Sequence, residues 1–438
     1  MTPVKNRGTS YREAAKDAKG TMNNISQIIS RIYGHRRFSL VASCIIAVAV
    51  LIAYSNTFTA AFQFDDEAHI RENPAVKAVT WENVKTLLRT TRPVTDLSLM
   101  FNYAVSGLDV AGWHVFNTGF HIANAVLVYF FVLATLLLPV FRGKYDQKAR
   151  GMALFTALLF AVHPVQTESV TYIISRSELL ATFFFLIAFL VFLRNRGSGG
   201  ILFLAGMFCT ALLSMGSKEW AVVLPAMLVL YDYLFLAEQK AVAVLGRWKT
   251  YAATALPWYL VFSRLDLFSA GGGAGGVGFG LASKAGGAAA AGAGIAGAAA
   301  GPVALTSWTY FLTSLNVIWT YIRLLFLPVG QNLDYDYPIA RTIWAFPTLL
   351  SLFGHLAIIA GAFWLYRKKG LALPLFAVAW FYIGLSPVQS VVPIIDVIFE
   401  HRLYMPSIGV FLAFAVGTDG LFDLLKRKRD NRIEPISK

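Results

Sequence analysis

Apolar residues gather along this chain in runs of 12 to 24, and the charged residues gather between them. The runs cover residues 38–54, 115–138, 151–162, 178–193, 200–215, 220–236, 251–262, 343–366, 371–385 and 405–424. Each reads as a helix, and about 20 apolar residues are needed to cross a bilayer. Several runs fall short of that, so their ends must extend into the polar stretches beside them. One further run, 308–327, is apolar enough to span, but counting it would move Arg367-Lys368-Lys369 to the opposite side. Arg323 within it, together with Trp308, Trp319 and Tyr321, suits an interfacial or re-entrant helix. The expectation is an all-α, polytopic bundle of about ten spans, or twelve if the preceding Gly/Ala tract also crosses.

Composition sharpens this picture. Hydrophobic residues make up 57% of the 438, and charged ones only 14%, against about 25% in soluble domains. With a mean hydropathy of +0.59, these proportions exclude a soluble enzyme, a disordered chain and a nucleic-acid-binding domain, despite a net charge of +14. Cys44 and Cys209 both lie in apolar runs, so no disulfide framework is expected.

The charges orient the bundle. Alternating the spans collects residues 1–37, 139–150, 194–199, 237–250, 367–370 and the C-terminal end on one side, with 26 of the 38 Lys and Arg. Counting Asp232, Asp419 and Asp423 with it, that side carries a net +17 and the other −3, so the first is cytoplasmic. Residues 1–37 are then a basic cytoplasmic tail, too long and polar for a signal peptide. Residues 38–425 form the membrane domain, with 55–114 its first extracytoplasmic loop. Residues 426–438 are a second basic cytoplasmic tail. The low-complexity stretch 270–302 lacks a phosphate-cradling motif and reads as a flexible extracytoplasmic linker.

Polar residues near a bilayer persist when they are paired, wetted or useful. Here five clusters fall on the non-cytoplasmic side, which suggests one shared polar cavity opening outward. The first is Phe64-Asp65-Asp66-Glu67-Ala68-His69. The second joins His163-Pro164-Val165-Gln166-Thr167-Glu168 to Ser175-Arg176-Ser177-Glu178. The others are Lys218-Glu219, the stretch with Asp334 and Asp336, and Glu400-His401-Arg402-Leu403-Tyr404-Met405-Pro406. Three adjacent carboxylates cannot all ionise cheaply, so at least one of Asp65, Asp66 and Glu67 should have a raised pKa and could serve as a general base. With His69 the same stretch could instead hold a divalent metal, or be a plain acidic loop. Arg402 and His401 offer donors to phosphate oxygens, or Arg402 forms an ion pair with Glu400 or Asp396. Arg176 and Lys218 carry the same two readings, with Glu178 or Glu219 as the pairing partner. His163 could be a helix-end cap.

A carboxylate on one loop and cations on others suit transfer of a group from a membrane-anchored phosphate donor. At this point the motifs resemble one family. The F-D-D-E stretch, Arg92-Pro93-Val94-Thr95-Asp96-Leu97-Ser98 and Trp113-His114-Val115-Phe116-Asn117 with His121 and Asn124 come first. H-P-V-Q-T-E-S-V-T-Y-I, S-R-S-E-L-L-A, K-E with Leu230-Tyr231-Asp232, L-D-Y-D-Y-P and E-H-R-L-Y-M-P-S follow in order. Together they resemble the membrane region of the transmembrane and tetratricopeptide-repeat O-mannosyltransferases and their prokaryotic relatives, which have a GT-C glycosyltransferase fold. The resemblance implies an inverting transferase using a polyprenyl-phosphate-linked sugar. It implies that Asp65 or Asp66 is the base, with Glu400–Pro406 as the E-H-R-L-Y-x-P motif; by its chemistry Arg402 is assigned to the donor phosphate. It leaves the sugar open, with mannose leading, and the acceptor open among protein, lipid and glycan. The family's repeats would follow the last span, and this sequence ends 14 residues after Leu424. Acceptor selection is therefore expected to fall to a partner or to the acceptor itself. A prokaryotic plasma membrane is the expected location. A flippase of lipid-linked sugars and a scaffold in a glycan-assembly complex are the alternatives.

Overall fold

The computed structural model describes residues 36–195, 199–262 and 305–433, and these are helices and loops with no strand. The first basic tail up to Arg36, the Gly/Ala linker and the last residues of the second tail lie outside the described residues. Twelve helices matter here: α1 Arg36–Ala53, α2 Pro93–Ser106, α3 Val110–Leu136, α4 Ala149–Val162, α5 Arg176–Asn195, α6 Ile201–Ser217, α7 Leu224–Tyr231, α8 Trp248–Phe262, α9 Ser307–Phe326, α10 Phe346–Lys369, α11 Ala372–Leu385 and α12 Ser407–Ile433. Local chemistry sets several of their ends. Asp109 caps α3 by accepting from the Ala111 amide, and Thr306 and Thr309 form a reciprocal capping box on α9. Proline at the first turn opens α2 and α10. Gly370, at φ 66°, ends α10 in the left-handed conformation that glycine tolerates best.

Among the described residues, five helical stretches are long and apolar enough to cross a membrane: Val110–Leu136, Ile173–Asn195, Glu219–Leu236, Phe346–Lys369 and Ser407–Lys426. Shorter apolar helices occupy Arg37–Ala53, Ala149–Val162, Ile201–Ser217 and Ala372–Leu385. The run 220–236 is one stretch in three parts: a 3-10 turn Glu219–Val223, then α7, then a π-helical turn Asp232–Leu236. The final helix runs on to Ile433, into the stretch expected to be a tail.

The helices close into one bundle. α3 packs on α4 and α5, α5 on α6, α6 on α8, α10 on α11, α11 on α12, and α12 returns to α4. Trp380 sits at the centre, with the rings of Phe131, Phe189 and Phe185 at 5.3, 5.3 and 5.8 Å. A second, smaller apolar cluster joins Ile70, Val76, Leu87, Leu99 and Trp113 to Ile173. That cluster seats the first loop on the start of α5.

The two ends of the bundle differ chemically. One end is basic and simply paired: Lys148 bridges Asp419 and Asp423 at 2.8 Å each, and Arg247 grips the buried Asp232. The other end carries the motifs. α9, the run left open above, bonds to that second end. Tyr310 donates to the Val388 carbonyl, Tyr321 to the Phe399 carbonyl at 2.8 Å, and Trp319 to the Ser351 carbonyl at 3.0 Å.

Candidate functional site

The acidic stretch of the first loop does not act as a unit. Asp66 is buried, and its two oxygens accept from the Gln63 amide at 3.0 Å and the Ile174 amide at 2.9 Å. Burial pushes its pKa up to about 6; the neighbouring Asp65 charge is a smaller contribution, opposed by the amide bonds. Asp65 is exposed. Its amide donates to the Tyr172 hydroxyl at 3.0 Å, and its carboxylate accepts no hydrogen bond among the described residues. Glu67 pairs with Arg71 at 2.8 Å, while His69 is exposed. Among the described residues no three of His, Cys, Asp and Glu gather to hold an ion. The metal arrangement considered for Asp65–His69 does not fit, because the side chains diverge. Phe64, just before Asp65, has a φ of 42°.

The second half of the site is the 3-10 turn Glu400–Leu403. Glu400 is buried and accepts from the Asn332 amide at 2.9 Å, from Gln331 and from the Tyr335 hydroxyl. It thereby holds the 331–337 loop, whose Asp334 and Asp336 remain exposed. The His401 amide donates to Glu168 Oε2 at 2.9 Å, and its Nδ1 meets Glu168 Oε1. Burial raises Glu168 to about 7. Burial, then the Lys218 charge, holds His401 well below its ordinary value.

Arg402 is buried among backbone carbonyls. It donates to Asp396 O at 2.7 Å and Val397 O at 3.3 Å, and lies over the Phe399 ring at 5.4 Å. Neither carboxylate weighed for it above is its partner: Asp396 supplies a carbonyl, and Glu400 faces the 331–335 loop. Tyr404 anchors the turn from below, its hydroxyl meeting His121 Nδ1 at 2.8 Å and accepting from Asn124 at 3.1 Å.

Further charged contacts lie at this end. Lys218 lies 2.9 Å from Glu178, and His401 Nε2 is 3.9 Å from the same oxygen. Arg92 Nε donates to both Glu219 oxygens, at 2.9 and 3.1 Å. Arg176 is fully buried and bonds to Asn117, Asn102, the Ser98 carbonyl and the Trp113 carbonyl at 2.6 to 3.4 Å. It also stacks over Phe116 at 4.1 Å. His163 is a cap: its Nδ1 accepts from the Val165 amide at 3.2 Å.

The structure thus joins Glu168, His401, Glu178 and Lys218 in connected contacts; Asp66, Glu219, Glu400, Arg402 and Tyr404 are each held by other partners, and Asp334, Asp336 and His69 stay exposed. Arg92, Asn102 and Tyr172 are site neighbours that residue chemistry alone did not select. Arg92 and Tyr172 do lie in the ordered motifs.

No protein-family model and no solved structure matches the chain. Curated proteins do. The mouse protein O-mannosyl-transferase TMTC3 is 33% identical over 168 residues, 35% of this chain and 17% of that protein. The Drosophila melanogaster protein O-mannosyl-transferase Tmtc3 is 31% identical over 224 residues, 44% and 24%. The human protein O-mannosyl-transferase TMTC1 is 26% identical over 433 residues, 88% and 46%. Over much of its length the chain is homologous to the membrane region of these proteins. The matched stretches span less than half of each relative's own length. With its apolar helices, this supports an integral, multi-pass membrane protein.

Proposed function

We propose that this protein transfers mannose from a polyprenyl-phosphate-linked donor to a protein hydroxyl, with inversion, at the extracytoplasmic end of a bundle of about ten spans. The observation that carries this reading is the presence of two unlike groups at the motif-bearing end. Asp65 offers a carboxylate with no hydrogen bond among the described residues, and Arg402 offers a guanidinium with no carboxylate partner among them. The basic end faces the cytoplasm, and α9 lies toward the outer half of the membrane, as its partners suggest. The mannose and the protein acceptor come from the names of the relatives.

In this reading Asp65 removes the proton as the acceptor oxygen attacks the anomeric carbon. The bond from that carbon to the phosphate oxygen breaks, and the electron pair leaves with the lipid phosphate. Arg402 stabilises the growing phosphate charge. Asp66 shapes the turn that presents Asp65. Glu168 and Lys218 fix His401 and Glu178 around the phosphate side, and Arg176 holds α2 and α3 in place from within.

The test incubates purified protein with a panel of radiolabelled polyprenyl-phosphate sugars, with and without EDTA. Mannose transfer by the wild type, lost in Asp65→Asn, is the expected result. Donor binding without release from any sugar would replace the reading with transport or scaffolding.

A further inference from the structure

Among the described residues, three non-glycine residues have positive φ, and two of them, Glu238 and Gln239, are polar. The third is Phe64, with φ 42° and 60% of its surface exposed. A bulky residue in this region is a genuine outlier, and such strain persists where the surroundings over-determine it. Here they do. Asp66 accepts from the Gln63 amide on one side of Phe64 and from the Ile174 amide just before α5, and the Glu67 amide donates to the Phe64 carbonyl at 3.2 Å. Glycine would satisfy the same backbone at no steric cost. The ring contributes little burial in return for the strain, so stability does not account for it. Phe62, two residues earlier, does the packing, edge-on to Trp113 at 5.9 Å.

We propose that Phe64 is a stacking platform for the pyranose ring of the donor. This rests on the reading of the site as one for glycosyl transfer. The C–H face of a pyranose carries partial positive charge and suits the negative face of an aromatic ring. The hydroxyl edge needs polar neighbours, and Phe64 stands in sequence between exposed Gln63 and Asp65. A hydrocarbon chain on the same ring would bring apolar surface against the Asp65 carboxylate, which is costly. The ring therefore sets the sugar beside the carboxylate that receives the acceptor proton.

The experiment compares Phe64→Gly, Phe64→Leu and Phe64→Trp in detergent-purified protein. Phe64→Gly and Phe64→Leu are expected to lower kcat/KM for polyprenyl-phosphate mannose by roughly tenfold, the scale of one aromatic stacking contact. The Tm of Phe64→Gly should equal or exceed that of the wild type. Phe64→Trp should lose distinctly less, and its added emission should change with polyprenyl-phosphate mannose but not with the sugar-free polyprenyl phosphate. Full activity in Phe64→Leu, or an equal emission change with the sugar-free lipid, would overturn the proposal in favour of a lipid contact. A sugar-dependent emission change in a protein that transfers nothing would keep the contact and remove the transferase reading. Intact transfer with no emission response would do the reverse.

Discussion

The Ile174 amide donates to Asp66 Oδ1 at 2.9 Å, so one buried carboxylate fastens the first loop to the segment that opens α5. Its other oxygen closes the local turn on Gln63. Of the two aspartates that the sequence could not separate, one is spent on structure and the other is not.

The two should therefore fail differently. Asp66→Ala strands two amides, each costing about 1–3 kcal/mol, and should lower the Tm measured in detergent. Asp65→Asn should leave the Tm unchanged and abolish mannose transfer. Equal transfer in Asp65→Asn and wild type would remove Asp65 as the base.

Arg402→Ala should raise the KM for the lipid-linked donor by roughly 10–100-fold, the range of a lost charged hydrogen bond. The KM for the acceptor should stay put. Initial-rate kinetics with both substrates varied decide this, and a parallel rise in both constants would count against a phosphate role.

Arg176→Lys looks conservative and should not be. A lysine cannot serve Asn117, Asn102 and two carbonyls at once with its compact head. A drop of about 3 kcal/mol in stability is expected from the several lost bonds, read as a lower midpoint in thermal or denaturant unfolding.

Gly409→Ala tests the packing of α11 on α12. An added Cβ would meet the Ala377 carbonyl oxygen at 2.6 Å and Trp380 Cβ at 3.0 Å. The backbone must shift, at about 1–3 kcal/mol, and the Tm should fall.

The pH dependence should carry the mark of Glu168. Its carboxyl is raised from 4.5 to about 7 in the fold. The folded state therefore holds a proton that the unfolded state has released, and the stability this gives is present below about pH 4.5 and lost as pH rises through 7. His401 works the other way. Its lowered pKa costs stability as pH falls through 6.5. Comparing wild type with Glu168→Gln across this range isolates the first effect: the wild type's relative stability should decline from pH 4.5 to 7.

The apolar runs made the helices legible, because membrane-length burial demands a continuous signal. The motifs made the site neighbourhood legible, because charged residues beside a bilayer are few. Depth was not legible. Nothing in Asp65-Asp66 says which side chain turns inward, since that depends on Ile174, far along the chain. Arg176 read by its charge as a phosphate ligand or an ion-pair partner of Glu178 or Glu219, while its actual partners are neutral groups on α2 and α3 that carry no charge signal. The composite stretch from Glu219 to Leu236 was hidden for a similar reason: hydropathy does not separate 3-10, α and π turns.

The Asp66–Ile174 bond also sets an order of assembly. Its partners are 108 residues apart, and the cluster beneath the first loop likewise waits for Ile173. At about 5–20 residues per second, synthesis leaves the loop without these anchors for on the order of 5–20 s. During that interval the Asp65 carboxylate has no fixed position, and the motif-bearing end of the protein gains its shape only when α5 arrives.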